Sequence, residues 1–395
     1  MNIQQPRLLW QLTLEGAWPT ALTFLDHGRR LAAGNQQGEL YVWELPETPP
    51  EFSPSKGSER RAPDHPPRRR LDGHENGISR LVAADQGLTL VSASLDHTLR
   101  VWRPADPATG SAEAVLDRNT RQSQAKRERR EELLTAPGVP VETMGPVAVL
   151  PGHQDWVLSL ASDAAGRRLI SGDMAAHVIV WDLAERRELT RWRGLPWNWI
   201  EAVALTPDGQ TAVVSEHRYK RDDFDIPAAA VRVYEATSGQ EKLDILKTLF
   251  PKYRTDDNSY GGGQVWRKFV AQGLVAAAIS PAGDLVALGQ GGETDTGKVH
   301  LVELATGQVR REVSGHQYGV TDVRFSSDGR YILSTGRDTT LRICQVEDGK
   351  EVAALGTPRG GQFKDWLSAL AIAPDQRTVA ATDIAGLIHV WSLES

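Results

Sequence analysis

A short pattern recurs seven times along this chain of 395 residues: an apolar stretch, a tight turn, an alternating apolar stretch and a position that is usually aromatic. The turn positions are Gly28, Gly87, Gly166, Gly209, Gly283, Gly329 and Gln376. The positions that follow them are Trp43, Trp102, Trp181, Tyr234, Val302, Cys344 and Trp391. The turn position and the aromatic position are 15 residues apart in five units. Polar insertions lengthen this separation to 25 residues in the fourth unit and to 19 in the fifth. A fixed register of this kind indicates a repeat protein.

Each unit has the chemistry of short antiparallel strands. Residues 330–344, RYILSTGRDTTLRIC, predict a strand, a Gly and Asp turn and a second strand. A further strand such as GQVRREV, residues 307–313, follows each unit. A small sheet of four such strands cannot bury both faces alone, so seven must stack around an axis. We therefore predict an all-β fold, a seven-bladed β-propeller of four-stranded antiparallel blades.

The repeat also predicts the boundaries of a single domain over residues 1–395. Blades are expected near residues 16–45, 73–103, 152–183, 194–235, 268–304, 315–346 and 362–393. The last unit lacks a fourth strand, whereas residues 7–14 have strand character, so the N-terminal strand should complete the last blade and close the ring. Residues 46–70, rich in Pro, Ser, Glu and Arg, predict a disordered insertion. Residues 104–145 predict a partly helical one, with Asp117 or Asn119 as the cap.

The second unit carries the most complete motif. It contains Gly73 and His74, then Ser92, Asp96 and Trp102, and it closely resembles the Trp-Asp (WD) repeat of the β-propeller family. The resemblance implies a hydrogen-bonded tetrad of the His, Ser, Asp and Trp side chains. It also implies that insertions after the third strand, such as residues 104–145, lie on the bottom, wider face of the propeller.

Other units keep only part of this motif. The sixth has His316, Ser334 and Asp338 but places Cys344 at the Trp position. The third has His153, Ser171 and Trp181, with Ala175 at the position expected for Asp. On this alignment only the second unit has all four residues. The chain is thus expected to be a degenerate member, and its high Ala and Arg content suits a bacterial one.

Tryptophan recurs at a second equivalent position. The residues ten before the turn anchors are Trp18, Gly77, Trp156, Trp199, Gly273, Gly319 and Trp366, so only Trp or Gly occurs there. This position precedes the first strand of each blade, which the propeller fold places near the top mouth of the central channel. With Trp197 and Trp266 nearby, the four Trp would form an aromatic surface for a peptide or a protein.

Two other interpretations of these Trp residues stay open. Each could pack between neighbouring blades and contribute only to stability, because large aromatic side chains are usually well buried. A small-molecule site at the channel mouth is the other. Two insertions are expected on the same face, around residues 218–226 and 247–269, and carry Tyr219, Phe224, Tyr253, Tyr260 and Trp266. Aromatic residues beside charges are typical of contact surfaces.

Composition excludes several functional classes. With 45 Lys and Arg against 51 Asp and Glu, the net charge is −6, so we expect no nucleic acid partner. No apolar run is long enough to cross a bilayer and no secretory leader is present, so we expect no membrane association and a cytoplasmic location. The single cysteine, Cys344, rules out an intramolecular disulfide and a cysteine-based zinc site.

Catalytic motifs are also weak. Residues 292–298, GETDTGK, have the spacing of a phosphate-binding loop, but Val299 replaces the metal-binding hydroxyl and a strand follows instead of a helix. We expect no metal and no cofactor. If a site forms around the axis, the carboxylates to consider are Asp155, Glu201 and Asp365, each beside one of the Trp residues.

These observations predict a non-catalytic interaction scaffold. Its partner, a protein or peptide of unknown identity, would bind on the top face. The alternative is a small-ligand binder or an enzyme with its site at the channel mouth. A third interpretation is a fixed structural subunit of an assembly, which predicts a large apolar patch.

Overall fold

The structure, a computed structural model, describes residues 1–46, 65–218, 229–250, 273–292, 297–357 and 366–394. The strands are, in chain order, β1 (Arg7–Thr13), β2 (Pro19–Leu25), β3 (Arg30–Asn35), β4 (Leu40–Glu44), β5 (Arg69–Leu71), β6 (Ile78–Ala84), β7 (Thr89–Ser94), β8 (Thr98–Trp102), β9 (Gly110–Ala114), β10 (Val139–Met144), β11 (Ala148–Pro151), β12 (Val157–Ser162), β13 (Arg168–Asp173), β14 (His177–Asp182), β15 (Arg187–Arg193), β16 (Trp199–Leu205), β17 (Thr211–His217), β18 (Ala229–Glu235), β19 (Glu241–Asp244), β20 (Leu274–Ile279), β21 (Leu285–Gln290), β22 (Gly297–Glu303), β23 (Val309–His316), β24 (Val320–Phe325), β25 (Tyr331–Gly336), β26 (Thr340–Gln345), β27 (Glu351–Gly356), β28 (Leu367–Ile372), β29 (Thr378–Asp383) and β30 (Leu387–Ser392). The helices are α1 (Arg118–Glu128) and α2 (Ile245–Leu249), and short 3₁₀ turns cover Asp26–Gly28, Asp85–Gly87 and Glu131–Thr135.

The strands form seven sheets whose innermost strands contact one another in a closed cycle, from β2 through β6, β12, β16, β20 and β24 to β28 and back to β2. Each innermost strand opens a blade, and blades one to seven are numbered in that order. Blade seven is β28, β29 and β30 with β1 as its outer strand, and Arg7 lies opposite Ser392. The seven-bladed fold and its closure by the N-terminal strand are therefore confirmed.

The repeat register is the same in every blade. In each one the residue three after the turn anchor lies directly across from the residue at the aromatic position. These pairs are Leu31–Trp43, Leu90–Trp102, Leu169–Trp181, Ala212–Tyr234, Val286–Val302, Ile332–Cys344 and Val379–Trp391. The two units with long insertions thus keep the register, because the insertions fall in the turns and leave the strands unchanged.

Neighbouring blades are joined near the axis by hydroxyl groups. In five of the seven contacts a Ser or Thr donates a hydrogen bond to a main-chain carbonyl at the start of the next blade's inner strand. The pairs are Ser368 to Pro19 (2.6 Å), Thr20 to Ile78, Ser159 to Ile200 (3.0 Å), Ser215 to Leu274 (2.8 Å) and Thr321 to Leu367 (2.7 Å). Apolar side chains fill the remaining space, with Trp102 of blade two buried against Ala21 and Leu25 of blade one.

Residues 104–145 add two strands to a neighbouring blade. β10 pairs in parallel with β5, the outer strand of blade one, and β9 pairs with β10, so that blade one becomes a six-stranded sheet. Leu116 and Ala114 then pack in the same cluster as Trp10 and Leu12 of β1. The expected disordered insertion, residues 46–70, is described only at 46 and from 65 onward, and its end falls within β5.

We define the top face as the end of the blades that carries the connections between blades and the turns between second and third strands. The helix of this insertion begins at the top face. Arg118 pairs with Glu39 in such a turn at 2.7 Å, and the Thr120 main chain donates to Glu15 in the connection from β1 to β2 at 2.8 Å. The expectation that the insertion stays on the bottom face is therefore wrong for the helix. The hairpin of β9 and β10 lies along the outer edge of blade one, and an isolated bridge between Glu15 and Asp117 holds the segment after β9 beside the connection from β1 to β2.

Candidate functional site

The seven positions that hold Trp or Gly are equivalent in the structure. In each blade the carbonyl at this position accepts a hydrogen bond from the main-chain N–H of the residue eight after the turn anchor, or pairs with it in the ladder. Six donor–acceptor pairs are Gln36–Trp18, Leu95–Gly77, Met174–Trp156, Gly291–Gly273, Arg337–Gly319 and Ile384–Trp366, with the donor named first. In blade four His217 lies opposite Trp199 in the ladder. All seven therefore lie at the same place on the top face.

The glycines occur where the preceding blade crosses this position. A Cβ atom on Gly77 would lie 2.7 Å from the Gln36 carbonyl oxygen, and one on Gly273 would lie 2.7 Å from the His217 ring. On Gly319 it would lie 2.4 Å from the main chain of Gly292. Side-chain atoms do not approach other atoms this closely, so these three blades cannot carry Trp here.

The four Trp residues are not equally accessible. Trp18 is 54% exposed and Trp156 43%, whereas Trp199 and Trp366 are half-buried. The Arg337 guanidinium lies over the Trp366 ring at 4.2 Å, and Trp199 meets the His217 ring edge-on at 5.9 Å. The sequence predicted one ring of equivalent aromatic groups, but the structure gives two open and two covered positions.

Of the other predicted contact residues, Trp197 is 69% exposed. Trp266, Tyr219, Phe224, Tyr253 and Tyr260 lie outside the described residues, as does Asp365.

Trp18 and Trp156 line one cleft with a volume of about 540 Å³. Gly77, the equivalent residue of the intervening blade two, has no side chain to fill the space between them. The remaining lining consists of Gly16, Ala17, Gln36, Gln37, Asn76, Leu95, Asn119 and Ile384. None of the described residues in this lining is charged. Asn119 comes from α1, and sequence reasoning missed this contribution because it placed the insertion on the other face.

Two of the four carboxamides in the cleft are fixed by internal hydrogen bonds. Gln37 donates to the Gly16 carbonyl (3.3 Å) and accepts from Arg118 (3.0 Å). Asn76 accepts from the Gly77 main chain at 2.8 Å. The side-chain amides of Gln36 and Asn119 are exposed and make no hydrogen bond to the part of the chain that the structure describes. These two groups can bind a ligand without breaking an existing contact.

An ion network supports the segment that presents Trp197. The buried Glu216 accepts from the Leu195 main chain at 2.6 Å and from Arg232 at 3.0 Å. Arg232 also pairs with Asp244 at 3.3 Å. Burial raises the pKa of Glu216 above its usual value, although the Arg232 guanidinium opposes this. Blade four lacks the His and Ser of the WD motif, and this network replaces them.

The WD motif residues form structural hydrogen bonds at the blade contacts. In blade two His74 lies 2.7 Å from Asp96 and 2.6 Å from Ser92, and the Trp102 indole donates to Ser92 at 2.8 Å. Burial lowers the pKa of His74, although Asp96 opposes the shift. In blade six His316 lies 2.9 Å from Asp338 and 2.8 Å from Ser334.

Blade three also has a complete tetrad, which corrects the sequence alignment. His153 lies 2.9 Å from Asp173 and 2.6 Å from Ser171, and the Trp181 indole donates to Ser171 at 2.8 Å. The alignment placed Ala175 at the acidic position. Asp173 takes that role because it is two residues after Ser171, and side chains two apart on a strand point to the same face.

Of the three carboxylates considered for catalysis, the structure describes Asp155 and Glu201, and each has contacts of its own. Asp155 accepts the Trp156 main-chain N–H at 2.8 Å, which is a turn contact. Glu201 of the inner strand of blade four lies 3.6 Å from His217. Burial raises the pKa of Glu201 to about 7, against the attraction of Arg80, and burial lowers the pKa of His217 to about 4. The described residues contain no cluster of three or more side chains suited to hold a metal ion.

The phosphate-loop spacing does not produce a loop at its lysine. Lys298 lies within β22 and pairs with Glu312 at 2.7 Å. Residues 293–296 are outside the described ranges. Among the described helices none is long and apolar enough to cross a membrane.

The closed ring of seven blades and the His, Ser, Asp and Trp tetrads define a propeller built from WD-type repeats. The family model described as "WD domain, G-beta repeat" matches residues 65–103, 144–182 and 307–344. These matches fall on blades two, three and six, the three that have the His, Ser and Asp hydrogen bonds. The chain is a WD-repeat β-propeller protein.

Curated relatives are similar over part of their length. Autophagy-related protein 16 of Arabidopsis thaliana is 37% identical over 25% of this chain and 19% of its own. Periodic tryptophan protein 2 of Saccharomyces cerevisiae is 28% identical over 30% of this chain and 12% of its own. WD repeat-containing protein SL1-17 of Schistosoma mansoni is 25% identical over 51% of this chain and 54% of its own. The chain thus spans about half or less of these proteins, and none of them supports the expected bacterial origin.

Proposed function

We propose that this protein is a non-catalytic scaffold that binds a protein or peptide partner on its top face, with Trp18 and Trp156 as the central contacts. One observation carries the proposal. All three Trp side chains that are prominently exposed among the described residues, Trp18, Trp156 and Trp197, belong to top-face segments. Exposed Trp is unfavourable in water, and it is the residue type most enriched where a partner removes water from an interface.

The comparisons support the broad class of this function. WD-repeat propellers generally serve as interaction scaffolds, and none of the three relatives described above is named as an enzyme. We extend this to the present chain, with no cofactor, no nucleic acid partner and a cytoplasmic location as parts of the proposal. The half-buried Trp199 and Trp366 belong to the edge of the proposed surface. Trp266, Tyr219 and Phe224 stay predicted contributors.

The test compares partner capture by wild type and by a Trp18→Ala, Trp156→Ala double variant in a native lysate, with mass spectrometry as the readout. We expect proteins that the wild type retains and the double variant loses. The matched control is Leu88→Ala with Val149→Ala, because both side chains are exposed, at 47% and 44%, and lie away from the cleft.

Thermal unfolding of the same variants separates binding from stability. Both Trp side chains are about half exposed, so their removal should change the melting temperature by no more than the control does. A double variant that unfolds at a clearly lower temperature would instead assign the Trp residues to packing. Equal capture by all three proteins would overturn the proposal.

A further inference from the structure

From the cleft between Trp18 and Trp156 we infer the chemistry of the partner: a short, uncharged, proline-containing segment in the extended polyproline II conformation. This inference rests on the proposed function, since it describes what occupies the same cleft. It draws on three observations, namely the charge of the lining, its hydrogen-bonding groups and its aromatic surfaces.

The lining favours an uncharged ligand. Its side chains are two indoles, four carboxamides and three aliphatic groups. Three charged groups beside the lining already have partners within the protein, since Arg118 pairs with Glu39 at 2.7 Å, Glu15 accepts from Thr120 at 2.8 Å and Asp155 accepts from the Trp156 main chain at 2.8 Å. A charged ligand side chain that entered the cleft would lose water without gaining a partner, which is costly.

The main chain around the cleft has little to offer an added strand. The N–H groups of Gln36, Gln37, Gly77, Leu95, Trp156 and Ile384 all donate to acceptors within the protein. Pairing of a ligand as an extra β-strand needs a free edge, which these turns do not present. Recognition of a ligand main chain must therefore come from side chains, and the amides of Gln36 and Asn119 are the unoccupied ones.

A polyproline II segment matches these groups. Its main chain has no internal hydrogen bonds, and its carbonyl groups point outward, where side-chain amides can donate to them. Proline has no N–H, so a proline-rich main chain needs donors from the protein, and the side-chain NH₂ groups of Gln36 and Asn119 supply them. Flat aromatic side chains lining a groove are the usual partners of such segments, and Trp18 and Trp156 supply them on either side of the space above Gly77.

The experiment measures binding of a fluorescein-labelled decaproline peptide to the full chain by fluorescence anisotropy. The matched probes are a Gly-Ser repeat of equal length and decaprolines with every third residue replaced by Lys or by Glu. We expect saturable binding of decaproline, and affinities at least about tenfold weaker for the three other probes.

Variants assign the binding to the cleft. Trp18→Ala and Trp156→Ala should each weaken decaproline binding about tenfold or more, and Asn119→Ala about fivefold, as loss of one hydrogen bond predicts. Leu88→Ala, on a turn outside the cleft, should leave the affinity unchanged.

Other outcomes overturn the inference. These are tighter binding of a charged probe, no saturable binding of decaproline at millimolar concentration, binding that ignores the Trp variants, or binding of a neutral oligosaccharide such as maltoheptaose in place of the peptides. If decaproline fails while the lysate capture still depends on Trp18 and Trp156, the partner chemistry is wrong and the proposed function stands. If both fail, the proposed function falls as well.

Discussion

At the scale of single residues, one buried position in each blade helps to fix the conformation of the turns on the top face. Seven residues after the anchor stand Asn35, Ser94, Asp173, Glu216, Gln290, Gly336 and Asp383. In four blades the side-chain oxygen at this position accepts a main-chain N–H of the following turn. These bonds are Asn35 with Gln37 (3.0 Å), Ser94 with Asp96 (3.0 Å), Asp173 with Ala175 (2.9 Å) and Asp383 with Leu387 (2.9 Å). A short polar side chain that ends a buried strand thus fixes the turn beyond it.

The pH dependence of stability should report the Glu201 carboxyl. Its pKa in the folded state is about 7, against an ordinary value near 4.5, so the folded protein holds this proton more tightly than the unfolded chain. Stability from this group is complete below about pH 4.5 and is lost as pH rises toward 7. Glu201→Gln should therefore melt at a higher temperature than wild type at pH 8 and at about the same temperature at pH 4.5.

Scanning calorimetry from pH 4.5 to 8 checks this prediction. His217 shifts in the opposite sense, from its ordinary 6.5 to about 4, so it removes stability as pH falls through this range in both proteins. The comparison of the two proteins isolates Glu201. Parallel melting curves at every pH would show that Glu201 has an ordinary pKa.

At the scale of elements, α1 depends on a residue far away in the chain. Its first residues are preceded by Asp117, which forms no capping hydrogen bond and instead pairs with Arg121 at 2.7 Å. The Glu15 carboxylate supplies the cap, with 2.8 Å bonds to the Thr120 N–H and hydroxyl. An isolated helix of 11 residues is marginal in water, so this contact and the strand pairing beside it hold the helix in place.

Replacing Glu15 by Ala should therefore loosen α1. Loss of a helix cap costs about 1 kcal/mol, which corresponds to about fivefold faster amide hydrogen exchange in α1. Hydrogen exchange with mass spectrometry measures this directly. Asp117→Ala is the control, because it removes only a half-exposed ion pair and should have a smaller effect. Equal effects of the two substitutions would contradict the assigned cap.

The sequence predicts elements and register well here, and their surroundings less well. The spacing between turn anchor and aromatic position depends on local pairing within one hairpin, which explains why all seven units agree. Exposure of Trp18, Trp156 and Trp366 depends on the neighbouring blade, where Arg337 covers Trp366. The path of residues 104–145 likewise depends on pairing between β10 and β5, about 70 positions apart, and no local pattern encodes it.

At the scale of the whole molecule, stability rests on an unbroken ring. β1 and the residue after it supply Trp10, Leu12 and Leu14 to a core that also contains Ile388 and Val390 of β30. A variant that lacks residues 1–15 should lose cooperative unfolding and aggregate, because it exposes this core and the edge of β30. Circular dichroism during heating and light scattering measure both effects.

A rearranged chain provides the control for this deletion. A circular permutant that carries residues 1–15 after residue 395 keeps β1 beside β30 and should unfold cooperatively. If the deletion variant unfolds as cooperatively as wild type, ring closure by β1 does not determine stability.

The pairing of Arg7 with Ser392 also sets the order in which the protein can be completed during synthesis. β1 leaves the ribosome before every other strand of the ring, and its partner β30 leaves after all of them. At about 5 to 20 residues per second, the apolar face of β1 waits roughly 20 to 80 s for that partner. Through that interval the ring is an open arc with an unpaired strand at its start, so the dependence of the nascent chain on chaperones should be greatest just before β30 emerges.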